Sequence, residues 1–151
     1  MGDTSDLTGY AIRMINLPDP AVYTRPNCWN ILAYDSVDLL VIDFPDRNQD
    51  DPGFAFLLEW LQGHPEPWRW HTLFNLLKAP GVTPFYVVEE FASEYYKLVG
   101  AKDRGRRVVT VDDSPVTTSR YEHESFQKLF PTRQFRLFNN MEDGLAWILR
   151  P

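Results

Sequence analysis

The run Asp38-Leu39-Leu40-Val41-Ile42-Asp43-Phe44 is apolar at successive positions, not at alternate ones, and Pro45-Asp46 closes it. A strand with one solvated face alternates apolar and polar residues. A strand covered on both faces has no such need. The run is therefore read as the central strand of a sheet with helices over it, and the rest of the chain has to supply those helices.

It does so in a regular order. Asp51-Pro52 joins a capping carboxylate to a proline at the first helical position. Phe54, Leu57, Leu58 and Leu61 then recur at helical spacing, Phe56 and Trp60 widen the stripe, and Gly63 with Pro65 ends it. Thr83-Pro84 repeats the start signal ahead of Val88, Phe91, Tyr95 and Leu98, up to Gly100. Ser119-Arg120-Tyr121-Glu122 has capping-box spacing and opens a helix carrying Tyr121, Phe126, Leu129 and Phe130, which Pro131 stops. Asn140 is placed to cap a last helix with Met141, Leu145, Ile148 and Leu149 on one face.

Strand patterns separate these helices. From Trp68 to Leu77 the residues alternate, with Trp68, Trp70, Thr72, Phe74 and Leu76 on one face and Arg69, His71, Leu73, Asn75 and Leu77 on the other. Val108–Val111 reads as a buried strand and Gln134–Phe138 as a short one. Upstream, Trp29–Tyr34 folds back on the central strand through a turn at Tyr34-Asp35-Ser36-Val37. Tyr10–Ile15 is a further strand candidate, and prolines at 18, 20 and 26 make the segment up to Asn27 a loop.

The expected fold is α/β. It has a mainly parallel sheet of about four to five strands, an N-terminal hairpin and about four alternating helices, joined by right-handed crossovers. Residues 1–27 form a tail and extension, and 28–151 form the domain.

Composition narrows the classes of function. A net charge of -6 opposes sequence-independent binding to nucleic-acid phosphates. Cys28 is the lone cysteine, so no internal disulfide and no cysteine-based zinc site can form, and a reducing compartment is expected. The acidic start Met1-Gly2-Asp3-Thr4-Ser5-Asp6 lacks the apolar core of a secretory signal, and no run approaches the ~20 apolar residues of a membrane span. The expectation is a cytoplasmic protein with no integral membrane segment.

The closing segment Phe135-Arg136-Leu137-Phe138-Asn139-Asn140-Met141-Glu142-Asp143-Gly144-Leu145-Ala146-Trp147-Ile148, with Arg107-Val108-Val109-Thr110-Val111 before it, resembles the STAS domain. The likeness is to its antagonist-like (STAS/Sec14-like) branch and extends over residues 28–151. It implies a βα superhelix and a non-enzymatic regulatory or protein-interaction module, with no cofactor. Antagonist members of the family carry a phosphorylatable Ser before the second helix. Here that loop, Leu77 to Pro84, has no Ser, and Thr83 is its one hydroxyl.

Three other groups of residues carry chemistry of their own. Trp68, Trp70, His71, Tyr86 and Tyr95, with Trp29, supply the aromatic walls of a cavity for an apolar or lipid-like ligand. Lys102, Arg104, Arg106 and Arg107 form the one basic cluster, suited to an anion or an acidic partner face. Asp43 and Asp46 follow one strand and Asp112 and Asp113 another, and carboxylates at strand ends can hold Mg²⁺ and support an enzyme. Against each stands an ordinary reading: core packing, a solvated loop, and turn-forming aspartates. His64, His71 and His123 lack metal-ligand spacing, and no nucleophile-elbow motif is present. A non-enzyme is expected, with a protein partner, a small apolar ligand or a second copy of the chain as what it binds.

Overall fold

A computed structural model describes residues 17–26, 28–44, 51–77, 85–102, 105–112 and 127–151, with the backbone alone for 51–53, 85–88 and 101. The strands are β1 (Ala21–Tyr23), β2 (Asn30–Tyr34), β3 (Leu39–Asp43), β4 (His71–Asn75), β5 (Arg107–Val111) and β6 (Gln134–Phe138). The helices are α1 (Asp51–Gln62), α2 (Phe85–Val99), the end of α3 at residues 127–129, and α4 (Met141–Ile148).

These strands make one six-stranded sheet in sequential order, β1 to β6. β1–β2–β3 is antiparallel, and β3–β4–β5–β6 is parallel. The expected α/β sheet with its N-terminal hairpin is thus the fold observed. β3 is buried at all five positions, as the apolar run at 39–42 requires for the first four, with Asp43 a buried polar residue at its end. Each buried aliphatic side chain of this kind contributes roughly 1.5–3 kcal/mol.

Side-chain alternation divides the core in two. Leu40, Ile42, Trp70 and Val108 face α1 and α2, packing with Leu57, Trp60, Leu61, Phe91, Tyr95 and Val99. Leu39, Val41, Leu73, Val109 and Val111 face α4, packing with Met141, Leu145, Trp147 and Ile148. Crossovers of one hand between successive neighbours place their helices on one side of the sheet, which leaves the other side to the last helix. Gly144 lets α4 approach closely. A Cβ there would stand 3.1 Å from both Val109 Cγ1 and Val111 Cγ2. Asn140 caps α4 as expected, its Oδ1 accepting from the Asp143 N–H at 2.8 Å.

Two local expectations are corrected. Ala21–Tyr23, expected within a loop, is an edge strand paired with Ile31–Ala33. Its prolines lie outside the paired residues, so no ladder donor is lost. Trp68 and Arg69, expected to open a strand, lie in a 3₁₀ turn at Pro67–Arg69, and β4 begins only at His71. The turn is held from outside: Arg69 Nε donates to Asp38 Oδ1 at 2.8 Å, and its Nη2 to Asp35 Oδ1 at 2.9 Å. Asp38 takes the left-handed φ of 52° that closes the β2–β3 turn. The expected strand at Tyr10–Ile15 and the capping box at Ser119 lie outside the described residues.

Candidate functional site

Polar side chains segregate to the two ends of the parallel strands. At the carboxyl end, Asp43 and Asn75 are the last residues of β3 and β4, Asp112 directly follows β5, and all three are buried. Asn75 Nδ2 donates to Asp43 Oδ1 at 3.0 Å, and Asn75 Oδ1 accepts from the Leu77 N–H at 3.2 Å. Asn75 pairs with Asp43 across the ladder, so β4 stands between the two aspartate-bearing strands. Among the described residues no group of three or more His, Cys, Asp or Glu could hold a metal ion. Asp46 and Asp113, which would complete the acidic set, lie outside them.

The amino end is rich in arginine, because Arg69, Arg106, Arg107 and Arg133 directly precede or open β4, β5 and β6. His71 sits among them. Its Nδ1 accepts from the Arg107 backbone N–H at 2.9 Å, so the proton of the neutral ring is on Nε2. Nε2 faces Arg106 Nη1 at 3.5 Å, donor toward donor. Burial first, then the charges of Arg106 and Arg107, lowers the His71 pKa from 6.5 to about 4. The ring also borders a pocket of about 370 Å³ lined by Leu17, Val37, Ile148, Leu149 and Arg150.

Arg107 is committed to the end of α4. Its Nη1 donates to the carbonyls of Ile148, at 3.3 Å, and of Arg150, covering acceptors that the helix leaves open. Around the indole of Trp147 three guanidinium carbons gather: Arg150 at 5.2 Å, Arg136 at 5.5 Å and Arg107 at 5.8 Å from its centroid. Trp147, Arg136 and Arg150 border a second pocket, of about 430 Å³, with Gln127, Arg133, Gln134 and Phe135. Arg133 is buried, donating from Nη1 to the Tyr95 hydroxyl at 2.9 Å.

The sequence-predicted groups are thus partly regrouped. Trp70 and Tyr95 share the α1–α2 core with Trp29, and Trp68 packs against it. His71 points to the other face, so it does not join that aromatic set. Arg106 and Arg107 meet at His71, whereas Lys102 stacks over Trp68 at 4.3 Å. Arg104, Thr83 and the Tyr86 side chain lie outside the described residues. Asp38, Arg69, Arg136 and Arg150 had no sequence signal as a site. Only the sheet register and the return of α4 bring them to one end.

No helix among the described residues is long and apolar enough to cross a membrane. Comparison with known proteins finds no family model, no curated protein and no solved structure that matches this chain.

Proposed function

We propose that this protein is a STAS-like, non-enzymatic interaction module that regulates a protein partner in the cytoplasm. The observation that carries the reading is the sequential β3–β4–β5–β6 order, with α1 and α2 over one face and α4 closing the other. This mixed α/β sheet is compatible with the βα arrangement that the resemblance at residues 135–148 implies. The argument from fold to function is one of analogy, and a burial-compatible lone thiol at Cys28 fits the compartment.

A small apolar ligand is the second reading. The pocket of about 370 Å³ supports it, with Leu17, Val37, Ile148 and Leu149 as apolar walls and His71 and Arg150 as polar groups.

Affinity capture from the source cell, followed by calorimetry with the purified captured protein, tests the first reading. A saturable complex of fixed stoichiometry supports it. A native mass spectrum with a small-molecule mass excess that vanishes on denaturation, and no such complex, overturns it in favour of the ligand.

A further inference from the structure

Among the described residues several basic side chains lack an ion pair, but only Arg136 and Arg150 both border one pocket and rest on one ring, Trp147. Arg25 pairs with Glu59, Arg69 with Asp35 and Asp38, Lys97 with Glu94, and Arg106 approaches Asp38. Among the described residues, Arg136 and Arg150 contact no carboxylate, and each rests on the Trp147 indole instead. A chain of net charge -6 has an excess of carboxylates to offer them. Two like charges on one ring repel each other, and exposed stacking returns only about 0.5–1 kcal/mol each. The arrangement is relieved by an anion placed between them.

The surroundings favour a particular anion. Trp147 is buried, which fixes the ring that both guanidinium groups approach. Arg107, held by the α4 carbonyls, adds a third positive charge behind it. The pocket that Arg136 and Arg150 border is also lined by Gln127 and Gln134. Gln127 Nε2 donates to the carbonyls of Phe130 and Arg133, at 3.2 and 2.9 Å, which anchors that wall. A tetrahedral dianion brings two charges and more acceptor oxygens to two guanidinium forks than a singly charged carboxylate does.

We infer that the Arg136–Trp147–Arg150 pocket binds a phosphomonoester dianion. The inference stands on these side chains alone and is independent of the regulatory reading.

Calorimetric titration with glycerol phosphate, with inorganic phosphate and acetate alongside, tests it. The expected result is saturable binding of the phosphates, with acetate at least about tenfold weaker. Arg136→Gln and Arg150→Gln should each weaken phosphate binding about tenfold or more, while Arg25→Gln at the opposite edge leaves it unchanged. Phosphate should also raise the melting temperature of the native chain and not that of the double variant. A second arm uses phosphatidylcholine vesicles with and without phosphatidic acid. Binding that requires phosphatidic acid, and is lost in the double variant, assigns the same headgroup chemistry to a lipid source. No saturable binding in either arm, equal binding of acetate, or binding indifferent to both arginines overturns the proposal.

Discussion

The backbone N–H of Arg107 donates to Nδ1 of His71 across 2.9 Å, joining the first residue of β5 to the first residue of β4. A proton on Nδ1 would destroy this bond and add a cation beside Arg106, Arg107 and Arg133, with only Asp38 opposing them. The folded protein therefore holds His71 neutral, with a pKa lowered from 6.5 to about 4.

A pH dependence with a definite sign follows. Between about 4 and 6.5 the unfolded chain carries more of this proton than the folded one, so stability rises with pH. The His71 contribution is fully present above pH 6.5, declines as the pH falls toward about 4, and changes no further below that. Its slope is at most about 1.4 kcal/mol per pH unit. His71→Asn keeps an acceptor for the Arg107 N–H but has no titrating group. Urea unfolding across this range should give a flatter profile for the variant than for the native chain. Parallel profiles would assign the acid sensitivity to other groups.

Packing farther along the same face of the sheet gives a second expected outcome. In Gly144→Ala, helix propensity alone would stabilise α4 by about 1 kcal/mol. The new Cβ, however, meets two valine methyls at 3.1 Å. Val109 and Val111 are β-branched and buried on a central strand, so neither can turn away. Overpacking of this kind costs about 1–3 kcal/mol. Urea denaturation should show a net loss of roughly 1 kcal/mol. Adding Val111→Ala should cost less in the Gly144→Ala background than in the native chain, because the two changes share one space. Equal costs in both backgrounds would show that α4 shifts as a body instead.

Legibility from sequence followed the range of the forces involved. β3, α1 and the Asn140 cap depend on neighbours within one or two turns, and the sequence pattern located all three. β1 is three residues long and exists only because β2 offers it an edge, a contact that no local pattern carries. The turn at Pro67–Arg69 likewise depends on Asp35 and Asp38, more than thirty residues away. The basic cluster at 102–107 is legible because its residues are adjacent in sequence. Arg136 and Arg150 converge through Trp147, and that convergence depends on α4 running back over β5 and β6. Trp29, Trp70 and Tyr95 lie together in one core, the ordinary packing weighed against an aromatic cavity, and the partners each takes there depend on the fold and not on a local pattern.

The buried amide at the carboxyl end of β4 gives the third outcome. Asn75 is 1% exposed and answers two groups at once, the Asp43 carboxylate and the Leu77 N–H. Asn75→Ala removes both of these hydrogen bonds and leaves the two groups in place. A buried donor left unmatched costs about 1–3 kcal/mol, and a hydrogen bond to a charged acceptor is worth about 1.5–3 kcal/mol. The expected loss by urea unfolding at neutral pH is about 3 kcal/mol. Asn75→Asp separates geometry from charge. It keeps the shape and the acceptor for Leu77 but sets a second carboxylate against Asp43, its partner across the ladder. Two buried carboxylates in contact resist joint ionisation, so one is held above the usual carboxylate range. At neutral pH this variant should be less stable than Asn75→Ala. The difference should shrink as the pH falls, because a shared proton restores the hydrogen bond that the amide makes in the native chain. If Asn75→Asp matches the native stability at neutral pH, a cation or an adjoining donor must already neutralise this end of the sheet. Repeating the melt with and without added Mg²⁺ would then decide between those two causes.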